Sequence, residues 1–77
     1  MENEFKKIMA VMLKTSPDFD DIARESTPIW DSMKHAEIII KLQNAFGVKF
    51  DLAEIMQINK ASELYQLIEK KKLGRVT

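Results

Sequence analysis

Residues capable of chemistry are few in this 77-residue chain, and they gather in one stretch, IWDSMKHAEIII, over positions 29–40. A carboxylate, a hydroxyl and an imidazole follow one another there as Asp31, Ser32 and His35. Side chains three apart can share a helix face, so Ser32 and His35 form a candidate nucleophile and base. Hydrolases of the common type hold their serine in a glycine-flanked elbow, and no G-x-S-x-G occurs here. A small helical domain also has little room for an oxyanion hole and a substrate pocket. A metal site at His35 with Glu37 or Asp31 fares no better, since one histidine among scattered carboxylates is a thin ligand set. No catalytic residue and no metal ligand is assigned. A serine in the first turn of a helix offers attachment instead. Its hydroxyl points outward, and the unpaired amides and helix dipole favour an anion beside it. The competing reading is that Ser32 simply belongs to a helix cap.

The elements that position these residues are helical almost throughout. Phe5, Ile8, Met9, Met12 and Leu13 follow one helical stripe, predicting a first helix over residues 3–14 that Ser16-Pro17 stops. Residues 15–30 form a long connection with a helical turn expected around residues 18–23; loops of such length in small domains tend to be functional. A second helix starts at Asp31, whose carboxylate can cap it, and ends at Phe46 before Gly47, suited to a left-handed C-cap. Asp51-Leu-Ala-Glu54 reads as a capping box opening a short third helix to about Gln57. Asn59 is the expected cap of a fourth, with Ala61, Leu64, Tyr65 and Ile68 on one face. The predicted core is Phe5, Ile8, Met12, Ile39, Leu42, Phe46, Phe50, Ile55, Leu64 and Ile68. The fold class expected is all-α: a small four-helix bundle with a short third helix and a long loop between the first two.

The second helix is unusually broad in its apolar surface. Ile38, Ile39 and Ile40 step by about 100° each and together sweep about 200°, twice the stripe a surface helix needs. Either it is contacted on several sides, or part of that surface meets something outside the domain.

Composition narrows the function classes. The chain reads as a single domain over residues 1–77, and it has no cysteine, which excludes disulfides and thiolate metal sites. Net charge is zero, which argues against nucleic-acid binding. No apolar run approaches the roughly 20 residues of a membrane span, and MENEFKK lacks the apolar stretch of a signal peptide; a soluble, cytoplasmic monomer is expected. Charge is segregated all the same. Residues 16–31 hold Asp18, Asp20, Asp21, Glu25 and Asp31 against Arg24 alone, while Lys60, Lys70, Lys71, Lys72 and Arg75 dominate a basic tail, expected to be mobile from about residue 70.

From Asp31 onward, DSMKHAEIIIKLQNAFGVKFDLAEI resembles the pattern of acyl carrier proteins. It has the family's Asp-Ser-aliphatic signature, Glu37 within an apolar helix, the Phe46-Gly47 turn, and an apolar residue before a capped short helix. INKASELYQLI resembles the family's last helix, and the first helix and helix order also fit, so the resemblance covers most of the chain. It implies that Ser32 carries a covalent 4′-phosphopantetheine arm, with Asp31 as signature residue and helix cap. It further implies a phosphopantetheinyl transferase, which would hold any magnesium needed, and acyl-loading and acyl-transfer enzymes that dock transiently. The arm's thiol would carry an acyl group as a thioester, for fatty-acid or specialised biosynthesis, and the carrier itself would catalyse nothing. Met33, Ala36, Ile40 and Lys34 are the candidate partner contacts.

Some positions depart from the family pattern. Met33 replaces the usual leucine, a swap of similar volume. The acidic face that many members carry on the second helix is largely missing, with Lys34 and Lys41 set against Glu37. Ser26-Thr-Pro-Ile-Trp30 replaces the acid-rich stretch of fatty-acid carriers, and Trp30 is more reminiscent of carriers in specialised pathways. An aminoacyl or peptidyl carrier would share every site residue. A non-catalytic helical interaction module is the alternative from another class.

Overall fold

Apolar residues three and four apart give the first helix a reason to pack: Phe5, Met9 and Leu13 are buried, with Ala10 between them, and Ile8 and Met12 close the stripe half-buried. The computed structural model of the protein describes residues 2–16 and 21–74, with the backbone alone for residues 73 and 74. Within them the order is α1 (Glu2–Leu13), a 3₁₀ turn (Arg24–Ser26), α2 (Ser32–Phe46), α3 (Leu52–Gln57) and α4 (Ala61–Gly74). The described residues are therefore all-helical with four α-helices, and among them no strand forms beyond an isolated bridge between Ala23 and Lys60. α1 packs against both α2 and α4.

Local chemistry fixes most helix ends. α1 stops at Lys14, which takes a left-handed φ of 53° while the Thr15 N–H returns to the Ala10 carbonyl at 2.9 Å. Asp31 caps α2 by accepting from the Lys34 N–H at 2.8 Å. Gly47 ends it with φ 65°, donating to the Gln43 carbonyl, a conformation that costs glycine no Cβ clash. The Asp51–Glu54 capping box is complete, each side chain bonding the other's backbone N–H at 2.8–2.9 Å.

The start of α4 differs from expectation. The Asn59 side chain turns back to the Gln57 carbonyl. Glu63 takes the backbone N–H groups of Asn59 and Lys60. The carboxylate of Asp21, 41 residues away, accepts from the Ser62 N–H at 3.1 Å and from its hydroxyl at 2.9 Å. A distant acid thus serves where the local asparagine was expected.

The same tether explains the connection between α1 and α2. Of the helical turn expected around residues 18–23, residues 18–20 lie outside the described residues. Residues 21–23 are not helical because their polar groups are committed to α4: the Ile22 carbonyl accepts from the Ala61 N–H at 2.9 Å. The turn falls one step later, at Arg24–Ser26, where the Ala23 carbonyl accepts from the hydroxyls of Ser26 and Thr27. Lys70, Lys71 and Lys72 are part of α4. The Lys71 ammonium pairs with Glu54 at 2.9 Å and lies 5.7 Å from the centre of the Phe50 ring; Arg75 lies outside the described residues.

Of the predicted core, Phe5, Ile39, Leu42, Phe46, Phe50, Leu64 and Ile68 are buried, whereas Ile8, Met12 and Ile55 are half-buried around it. Trp30, Ile38, Val48, Ile58 and Ala61 complete the interior. The breadth of α2 divides: Ile38 and Ile39 are buried in the core, while Ile40 is exposed.

Candidate functional site

Ser32 opens α2 as its first residue, directly after the capping Asp31, and its side chain is exposed. Because Asp31 Oδ1 engages the Lys34 N–H, the cap leaves the serine hydroxyl free of that duty. Ser32 is therefore not the cap. Its hydroxyl instead accepts from the Arg24 guanidinium, Nη2 to Oγ, at 3.4 Å.

Beside Ser32 an open cleft of about 310 Å³ runs between α2 and α3, lined by Arg24, Ser32, His35, Ala36, Ile55 and Met56. Met33 is 78% exposed and Met56 70%, and Ile40 and Leu52 are exposed as well. Met33, Ala36 and Ile40 follow helical spacing on α2, and Leu52 and Met56 lie one turn apart on α3. All three α2 candidates for partner contact thus point away from the core. Lys34 is half-buried and its ammonium pairs with Glu37 at 3.3 Å, so the α2 face carries no net acidic charge beside the serine.

His35 lines the same cleft as Ser32, but its ring is turned inward. It is 5% exposed and bonded at both nitrogens. The Trp30 indole N–H reaches Nδ1 at 2.9 Å, and Nε2 lies 2.8 Å from the Ile55 carbonyl. An indole N–H only donates and a carbonyl only accepts, so the imidazole that fits is neutral, with its proton on Nε2. Neither nitrogen is available to Ser32 or to a metal. The ring acts as a bridge, tying the loop at Trp30 to α2 and α2 to α3. Among the described residues no cluster of histidine and acidic side chains forms a metal site.

Charges beyond the cleft hold the frame. The Lys71 ammonium and the Asp51 N–H keep the Glu54 carboxyl below its ordinary value. Burial pushes the Asp21 carboxyl upward, but the Ser62 and Ile22 donors and the Lys60 charge outweigh it and leave the group below its ordinary value. Two residues that shape the site were in neither the predicted core nor the candidate site set. Trp30 is 2% exposed and belongs to the core. Arg24 carried one signal, its being the lone cation in an acidic stretch.

Among the described residues no helix is long and apolar enough to cross a membrane. No protein-family model, curated protein or solved structure matches the chain.

Proposed function

We propose that the protein is an acyl carrier of the phosphopantetheine type, with Ser32 as the attachment point. The observation that carries this reading is an exposed serine hydroxyl at the first turn of a capped helix, facing an arginine and an open cleft rather than a base. The residues present fit a 4′-phosphopantetheine group. Oγ is accessible, the guanidinium suits a phosphodiester, and Ala36, Ile55 and Met56 offer an apolar wall beside it. When bound, the arm supplies a terminal thiol, on a chain without cysteine, where an acyl or aminoacyl group can be held as a thioester.

The chain's own part is presentation. Ser32 Oγ forms the new bond to phosphorus while the pyrophosphate link of coenzyme A breaks. The nucleotide half leaves, and the hydroxyl proton passes to a base on the transferase. Asp31 and the helix it caps fix where Oγ stands. Met33, Ala36 and Ile40 give a small apolar surface for brief docking of loading and transfer enzymes, and tethering raises the local concentration of the cargo at each. The resemblance of residues 31–68 to acyl carrier proteins supports the same reading.

The test is intact mass after incubation with coenzyme A and a promiscuous phosphopantetheinyl transferase. Wild type gains one arm; Ser32→Ala keeps its helical circular dichroism and gains none. Labelling of Ser32→Ala would overturn the assignment. The exposed Met33, Ile40, Leu52 and Met56 favour a second reading, a helical interaction module with Ser32 as plain surface. Failure of wild type to label with several transferases would select it.

A further inference from the structure

Arg24 stands out among the basic side chains because its donors reach the serine. We infer that Arg24 is a positioning residue for the group on Ser32: its guanidinium orients the free hydroxyl and then holds the phosphodiester oxygens. This rests on the carrier reading and adds a residue to it. The guanidinium has five N–H donors in a rigid fork, and the Ser32 hydroxyl engages one of them at 3.4 Å, beyond the usual 2.7–3.2 Å range. Among the described residues no carboxylate lies within salt-bridge distance of Arg24. A fork so lightly used beside a hydroxyl matches the two non-bridging oxygens of a phosphodiester.

The backbone explains why this cation stays where it is. The Arg24 N–H donates to the Asn59 carbonyl at 2.7 Å, and the Ala61 N–H donates to the Ile22 carbonyl at 2.9 Å. Asp21 grips Ser62 on one side, and Thr27 closes onto the Ala23 carbonyl at 2.7 Å on the other. The arginine is presented to Ser32 from a segment pinned to the start of α4. It also answers an electrostatic problem. Asp31 adjoins Ser32, so a phosphodiester on Ser32 meets a like charge next door. Arg24 supplies the opposing charge from across the cleft.

The experiment compares wild type, Arg24→Lys and Arg24→Gln, each incubated with coenzyme A and a promiscuous transferase and then examined by ³¹P NMR. In wild type the phosphodiester resonance is displaced from that of a free phosphodiester and moves toward it as salt is added. In Arg24→Gln it sits at the free position throughout, and in Arg24→Lys it lies between, since an ammonium is a point charge without the fork. Labelling kcat/KM falls about three- to tenfold in Arg24→Gln, the net worth of one ordinary hydrogen bond. Helical circular dichroism is unchanged, because Arg24 serves the fold through its backbone N–H. One ³¹P position shared by all three proteins overturns the inference and leaves the carrier reading standing. Slower labelling without a ³¹P difference also overturns it, placing Arg24 against the transferase instead. A wild type that never labels removes the carrier reading, and this inference with it.

Discussion

Trp30→Phe is the sharpest probe of how the site is held. The substitution keeps an aromatic ring in the core but removes the indole N–H that His35 Nδ1 accepts at 2.9 Å. His35 is 5% exposed, so Nδ1 gains no water in exchange, and an unsatisfied buried acceptor costs about 1–3 kcal/mol. The smaller ring leaves a gap of about 40 Å³, worth about 1 kcal/mol at about 24 cal/mol per Å³. The expected loss is therefore about 2–4 kcal/mol, a large share of the stability of so small a domain. Urea denaturation followed by far-UV circular dichroism measures it, since Trp30 is the sole tryptophan and its fluorescence is lost with it. At about 1 kcal/mol/M the midpoint should fall by about 2 M or more. Trp30→Phe/His35→Leu removes both partners and should cost less than the sum of the single changes, with a coupling of about 1 kcal/mol. A loss below about 0.5 kcal/mol for Trp30→Phe, or strict additivity in the cycle, would refute the bridge. Nitrogen NMR of wild-type His35 should independently show the proton on Nε2.

Other expectations concern the frame and the partners. The Asp21 carboxyl lies below its ordinary value when folded, so its contribution is present above about pH 4 and disappears as pH falls through the folded value. Asp21→Asn should lower the urea midpoint at pH 7, and the gap to wild type should shrink as pH drops below about 4; a constant gap would show that the charge does not matter. Lys14→Gly should stabilise the protein by about 0.5–1 kcal/mol, because lysine is held at φ 53° where glycine rests without strain; a thermal melt decides. Lys34→Glu/Lys41→Glu should be loaded several-fold faster than wild type by a fatty-acid-synthesis enzyme that selects acidic carriers, and equal rates would remove charge as the discriminator.

What could be read from the sequence was what neighbours decide. Asp31, Gly47 and the Asp51–Glu54 box cap helices through partners within four residues, so composition and spacing place them. Asp21 escaped because its partner is Ser62, and Asn59 was the nearer polar residue. Trp30 and Arg24 reach across a loop to His35 and Ser32, contacts that only the folded chain creates. His35 shows the same limit. Its spacing from Ser32 is right for a shared face, but packing turned the ring inward, and the tryptophan and the Ile55 carbonyl occupy both nitrogens. The three isoleucines announced a broad apolar helix without saying which of them would face water.

The short helix α3 has a consequence for how the molecule opens. No residue of Leu52–Gln57 is fully buried. Its ties are the half-buried Ile55, the His35 contact to the Ile55 carbonyl, and the Lys71–Glu54 pair. The interior helices α2 and α4 hold Ile38, Leu42, Leu64 and Ile68 with no exposure at all. α3 can therefore detach as a cooperative unit while the rest stays folded. Native-state hydrogen exchange should find its amides protected by far less than the global unfolding free energy, and those of α2 close to it. One wall of the cleft beside Ser32 is then a shutter held by one imidazole, one ion pair and one half-buried side chain.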